Sequence, residues 1–209
     1  MSVAAVCLGL AVSTAGADTL RITDGTAGNG PGGQFKIDNV TGFAGLFDLT
    51  GTSFQTFCVE RNEYISLGST YEYEIATSAI AGGVGGGNPD PLSPEAAFLY
   101  SMFRKGTLDD LVAGYSYGDN SDADELQEAI WYLEDEVDSH NGLASDLVAA
   151  ALASGWTDIG NVRVLRLFTL SDTGDNQQDQ LTIIPLPAPV GMAMAGLFGM
   201  GVISRRRRS

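Results

Sequence analysis

The run Phe57-Cys58-Val59-Glu60 holds the side chain with the most open chemistry in this chain, the thiol of Cys58. The sequence has two cysteines, and the other, Cys7, lies in an N-terminal apolar stretch that reads as a cleaved export signal. An exported chain left with one thiol cannot close an internal disulfide. Cys58 is then paired between molecules, free, or committed to other chemistry. A cysteine hydrolase would need an imidazole base, and His140 is the one histidine. It stands in Asp138-Ser139-His140-Asn141-Gly142, expected to be an exposed helix cap, and no catalytic-cysteine signature surrounds Cys58. The stretch from Asp119 to Glu125 alternates oxygen ligands like a calcium loop. Its sixth place is Asp124, where the turn needs glycine, and its twelfth is Ile130, which has no ligand oxygen. Helix capping accounts for those residues, and no metal or other cofactor is expected. Three glutamines complete the set of residues of interest: Gln178 and Gln180 late in the chain, and Gln127 four residues before Trp131.

The elements that must position these residues follow from periodicity and turn chemistry. Residues 19–23, 34–38, 54–60, 71–75, 162–170 and 180–184 carry the alternation or β-branched content of strands. In the third of these, Phe54, Thr56 and Cys58 share one face, and Gln55, Phe57 and Val59 the other. Ser93-Pro94-Glu95 signals a helix start, with a capping serine and proline at the first helical position, and Gly106 ends that helix. A short helix is expected near Leu108 to Ala113. A stronger one follows Asp122, predicted as its cap with Glu125 closing a capping box. Leu126, Ala129, Ile130, Leu133 and Val137 form its apolar stripe, flanked by Gln127 and Trp131. Leu143 to Ala153 predicts a fourth helix. The glycine-rich stretches 24–33 and 80–91 read as connections, the first lacking any phosphate-loop pattern, and 171–179 reads as a polar turn. Strands, then helices, then strands give an α+β class.

The ends and the charge bound the function. Ala15-Gly16-Ala17 offers small residues where a signal peptidase cuts, making 1–17 the signal and Asp18 the first mature residue. At the other end, Ile184-Pro185-Leu186-Pro187-Ala188-Pro189 leads into an uncharged, mostly apolar run, 190–203, and then Arg205 to Arg208. That run is short against the roughly 20 residues of a membrane-spanning helix, and the arginines would hold its far side in the cytoplasm. Of 11 basic residues, the four terminal arginines leave seven against all 26 acidic ones in 18–189, a net charge of −19. Such a field disfavours nucleic acid and anionic membranes.

The order of proline motif, short apolar helix and arginine cluster resembles the PEP-CTERM class of sorting tails, in the variant reading Val-Pro-Leu-Pro-Ala, with Ile184 in place of Val. The resemblance implies a Gram-negative envelope protein that passes through the inner membrane. An exosortase-type enzyme would process it near Pro185, Leu186, Pro187 and Ala188, leaving it at the cell surface or in the matrix. The intervening span, 18–184, resembles the thioester domains of bacterial surface adhesins. Three stretches carry the likeness: Phe57-Cys58-Val59-Glu60, Leu126-Gln127-Glu128-Ala129-Ile130-Trp131, and Asp179-Gln180-Leu181-Thr182-Ile183. Leu126 departs from the threonine of the family's helix motif. The resemblance implies that Cys58 condenses with a late glutamine, Gln180 or alternatively Gln178, to an internal thioester supported by Gln127 and Trp131. A ligand amine would then be captured covalently in a single turnover, so the protein would be no enzyme in the ordinary sense. A non-covalent matrix or biofilm protein of the same fold, without the bond, is the other function open to this sequence.

Overall fold

The computed structural model describes residues 17–29, 32–42, 53–82, 86–171 and 174–184. The expected signal up to residue 16, with Cys7, and the tail from Pro185 through Leu186, Pro187, Ala188 and the arginine cluster lie outside the described residues. Among the described residues no helix is long and apolar enough to cross a membrane.

Alternation governs the strands. β1 (Thr19–Asp24) buries Leu20 and Ile22 on one face, β2 (Phe35–Asp38) buries Phe35 and Ile37, and β3 (Phe54–Thr56) buries Phe54. β4 (Thr70–Ala76) adds Tyr71 and Tyr73 to that face. A short ribbon pairs β5 (Ser78–Ala79), just before the stretch read as a connection, with β6 (Asp90–Pro91) at its end. β7 (Val162–Phe168) and β8 (Asn176–Ile183) complete a six-stranded sheet in the order β3-β2-β1-β4-β7-β8, antiparallel at each pairing.

The two outer strands of that sheet meet. Just past β3, Cys58 forms an antiparallel bridge with Gln180 of β8. Val59 N–H donates to the Asp179 carbonyl and Leu181 N–H to the Phe57 carbonyl, both at 3.0 Å. The Thr56 hydroxyl adds a bond to the Leu181 carbonyl at 2.6 Å. The sheet therefore closes on itself, and backbone groups that an open edge would leave to water are paired along this seam.

Among the described residues four helices cover one side: α1 (Pro94–Lys105), α2 (Leu108–Leu111), α3 (Asn120–Leu133) and α4 (Gly142–Ala153). α1 starts and stops as its sequence predicts, with the Ser93 hydroxyl accepting from Ala96 N–H and Gly106 at φ 70°. α3 begins earlier than expected. Its cap is Asp119, whose carboxylate accepts from Ser121 and Asp122 N–H at 2.8 and 3.2 Å. Asp122 instead takes the Ser116 N–H at 2.7 Å, and Glu125 reaches Ala144 N–H at 2.8 Å, so no capping box forms and α3 is tied to the start of α4. His140 is half-buried rather than an exposed cap: its Nδ1 lies 2.9 Å from the Ser145 hydroxyl and its ring stands edge-on to Tyr132.

Closure divides the interior in two. Phe57, Val59, Val162, Val164 and Leu181 point outward into a core shared with the helices, including Leu126, Ala129 and Ile130 of α3. Phe54, Cys58, Leu165 and Leu167 point inward with the buried faces of β1, β2 and β4, and Trp131 of α3 joins this inner cluster. α3 thus spans both cores, and the face alternation read for residues 54–59 separates them.

Candidate functional site

The bridge between Cys58 and Gln180 has a specific geometry. Its two hydrogen bonds run between the flanking residues, not between Cys58 and Gln180 themselves. That is the non-hydrogen-bonded position of an antiparallel ladder, where opposed Cα atoms approach to about 4.5 Å and the side chains lie closest. Both residues are fully buried, and the thiol is free. Gln178 is held elsewhere: its amide donates to the Glu60 carbonyl at 2.8 Å. The structure therefore sets Gln180, rather than Gln178, opposite Cys58.

Gln127 clamps the cysteine from α3. Its Nε2 donates to the Cys58 carbonyl at 2.8 Å, while its Oε1 accepts from the Cys58 N–H at 3.0 Å and from the thiol at 3.2 Å. Cys58 is past the end of β3, so its backbone needs a partner beyond the ladder, and one carboxamide supplies both donor and acceptor. On the other side of the pair, the Gln180 amide donates to the Gln178 carbonyl at 3.3 Å, and its own carbonyl oxygen is buried with no hydrogen-bond partner. Trp131, 6% exposed, has a buried indole N–H with no acceptor at hydrogen-bonding distance. That N–H still acts on the sulfur at longer range: burial pushes the Cys58 thiol well up, the carboxylates of Glu60 and Glu136 add to this, and Trp131 pulls the other way. The sulfur is thus kept as a thiol whose proton is directed at Gln127.

A group of carboxyls that sequence reading passed over borders the pair. The sequence pattern places Asp179 in a polar turn, yet β8 starts at Asn176 and carries Asp179 fully buried at an irregularity in its pairing with β7. There its carboxylate accepts from Leu167 N–H at 3.1 Å, in place of a ladder carbonyl at the irregularity, and from Ile80 N–H at 3.0 Å. Its own N–H donates to Glu60 at 2.9 Å. Burial pushes Glu60 and Asp179 both well above the ordinary carboxyl range. Glu60 Oε1 and Glu63 Oε2 are buried without hydrogen-bond partners, and burial raises Glu63 above the ordinary carboxyl range as well. The available signal was parity: Glu60 follows Cys58 by two and returns to its face. Among the described residues no group of carboxylates, cysteine and histidine is arranged to hold a metal ion.

The glycine-rich loop, read only as a connection, lies over this site. Asn29 N–H donates to both oxygens of Asp124 at 3.0 and 3.2 Å, and Gly28 N–H to Asn120 at 3.1 Å, fastening the loop to the first turns of α3. Gly32 then packs so closely on Gln127 and Trp131 that a Cβ there would sit 2.5 Å from the indole ring. Beside it opens a cavity of about 520 Å³, lined by Gly32, Gly33, Arg61, Gln127, Trp131 and Val137 among others. The Arg61 guanidinium lies 5.9 Å from the Trp131 ring centre.

Chemically, a thiol and a carboxamide stand opposed at the close position of a ladder, both fully buried, with the thiol bonded to Gln127 and the amide to the Gln178 carbonyl. Compared with known proteins, the chain matches no family model, and no curated protein or solved structure matches it.

Proposed function

We propose that this is an exported surface protein whose Cys58 and Gln180 form an internal thioester that captures amine-bearing ligands covalently. The observation that carries the reading is the pairing of these two buried residues at a non-hydrogen-bonded ladder position, clamped by Gln127. In forming the bond, the Cys58 sulfur attacks the Gln180 amide carbon, the carbon–nitrogen bond breaks, and the thiol proton leaves with the amide nitrogen as ammonia. The buried Gln180 carbonyl oxygen, which has no donor, takes up negative charge in the tetrahedral intermediate, while the Trp131 N–H acts on the Cys58 sulfur. A ligand amine then attacks the same carbon and Cys58 leaves as a thiol. Burial slows the competing attack by water.

A second reading is favoured by other observations. The Cys58 thiol and the Gln180 amide already have hydrogen-bond partners, and Leu126, where the family has threonine, is a fully buried apolar residue of the core. On that reading the protein is a non-covalent matrix component and the pair is structural.

Intact mass of the protein recovered from the cell envelope separates the two and tests export as well. The thioester reading expects a chain starting at Asp18 and processed near Pro185–Ala188 by a sorting enzyme, lighter than its sequence mass by one ammonia. Methylamine should add its whole mass and expose a thiol to alkylation, and Cys58→Ala and Gln180→Ala should each abolish both signals, whereas Gln178→Ala should not. Full sequence mass with no amine uptake leaves the non-covalent reading in its place, and an unprocessed chain in the cytoplasm ends the export reading.

A further inference from the structure

We propose that the cavity beside the Cys58–Gln180 pair selects primary amines that carry a second positive charge, such as a diamine, a polyamine or a lysine flanked by another cation. This rests on the thioester reading and names the ligand chemistry for it. The cavity wall includes Asp124, Glu128, Glu136 and Asp138, against Arg61 alone of opposite sign. Asp124 and Glu136 are engaged with the backbone N–H groups of Asn29 and Arg61. Glu128, half-buried, and Asp138, exposed, take no hydrogen bond or ion pair among the described residues, so their charges are open to a ligand.

Depth separates two requirements of the chemistry. The nitrogen that attacks must be neutral, and acidic neighbours alone would keep it protonated. At the floor lie Gln127 and Trp131, 1% and 6% exposed, the latter with its buried N–H still lacking an acceptor. Desolvation there favours the neutral amine. At the rim, Glu128 and Asp138 meet a second ammonium that stays charged, and the Trp131 face already accommodates a cation in Arg61. A ligand with both groups satisfies floor and rim together, and a single amine satisfies one of them. In the capture step the neutral amine forms a bond to the Gln180 acyl carbon, the carbon–sulfur bond breaks, and the amine proton passes to the Cys58 sulfur.

The test compares three amines of matched length on the purified protein, by the rate of mass gain at low salt: pentylamine, cadaverine and 5-aminopentanoate. Cadaverine, after halving for its two equivalent amines, should react about tenfold faster than pentylamine, the size expected of one or two partly enclosed ion pairs. The anionic 5-aminopentanoate should react slowest. The cadaverine preference should shrink as salt screens the rim, and the double variant Glu128→Gln, Asp138→Asn should lower the cadaverine-to-pentylamine ratio severalfold. Spermidine and a dilysine peptide distinguish a small polyamine from a protein ligand, and either reacting faster than pentylamine supports the proposal. Equal rates for the three amines, or a ratio untouched by the double variant, overturn it while methylamine uptake leaves the thioester reading intact. No uptake of any amine overturns both.

Discussion

Gln127→Leu removes the one side chain that satisfies the Cys58 backbone, and its cost can be worked from the contacts. The substitution keeps approximate volume but leaves the Cys58 N–H and carbonyl, bonded to Gln127 at 3.0 and 2.8 Å, without partners in a fully buried position. A stranded buried polar group costs about 1–3 kcal/mol, so the pair should cost about 4 kcal/mol, a large part of the stability of a domain this size. The cleanest background is Cys58→Ala, where no thioester can form and both backbone bonds remain. There, urea denaturation of the Gln127→Leu double variant should show that loss in full. Gln127→Glu, which keeps the acceptor and gives up the donor to the Cys58 carbonyl, should also destabilise, with an added cost for burying charge. In the Cys58 protein, Gln127→Leu should further reduce the fraction of chains lacking one ammonia, because the sulfur loses the oxygen that orients its proton. A loss below about 1 kcal/mol in the Cys58→Ala background would refute the clamp as the reason for this glutamine.

Two further perturbations address the surroundings of the pair. Gly32→Ala puts a methyl 2.5 Å from the Trp131 ring and 2.6 Å from Gln127 Cγ, so the loop must lift off α3 at a cost of about 1–3 kcal/mol. The mass deficit of one ammonia should then decay faster in water, and an undiminished lifetime would show that the loop does not shield the bond. Glu134, 4% exposed and hydrogen-bonded by Ser93, is pushed up to about 7 by burial from an ordinary 4.5. Its proton is held more tightly in the folded state, so its contribution to stability is most favourable below pH 4.5 and declines as pH rises to about 7. A gap of that width is worth about 3 kcal/mol, and Glu134→Gln should grow more stable than the parent by up to that amount across this window. Parallel stability curves for the two proteins would contradict it.

The α+β class was legible because the strand period fills the two ends of the domain and the helical period its middle. Helix α1 was legible almost to the residue, since Ser93, Pro94 and Gly106 each allow only one role there. Cap choice in α3 was not, because Asp119, Asn120, Asp122, Asp124 and Glu125 crowd its start and only the fold determines that Asp119 faces the first turn while Asp122 turns to Ser116. At the site, parity alone placed Cys58 with Phe54 on the inner face. The opposition of Cys58 and Gln180 is set by closure between strands far apart in sequence, which no local pattern reports. Asp179 was hidden for a related reason: its value lies in filling a gap in the β7–β8 ladder, and a gap has no spelling of its own.

The seam has a mechanical side. Gln180 lies near the end of β8, and the described chain leaves the sheet at Ile184. Once a ligand is joined to the Gln180 side chain and the cell holds the protein on its C-terminal side, tension runs from the ligand through Gln180 and along Leu181, Thr182 and Ile183 to the anchor. Every element from β1 to β7 hangs beside that line and carries none of the load. Pulling would stretch a few peptide bonds and one new amide, and even a domain pulled apart would not let go. On the thioester reading the fold is a vessel for making the joint, and the joint outlasts it.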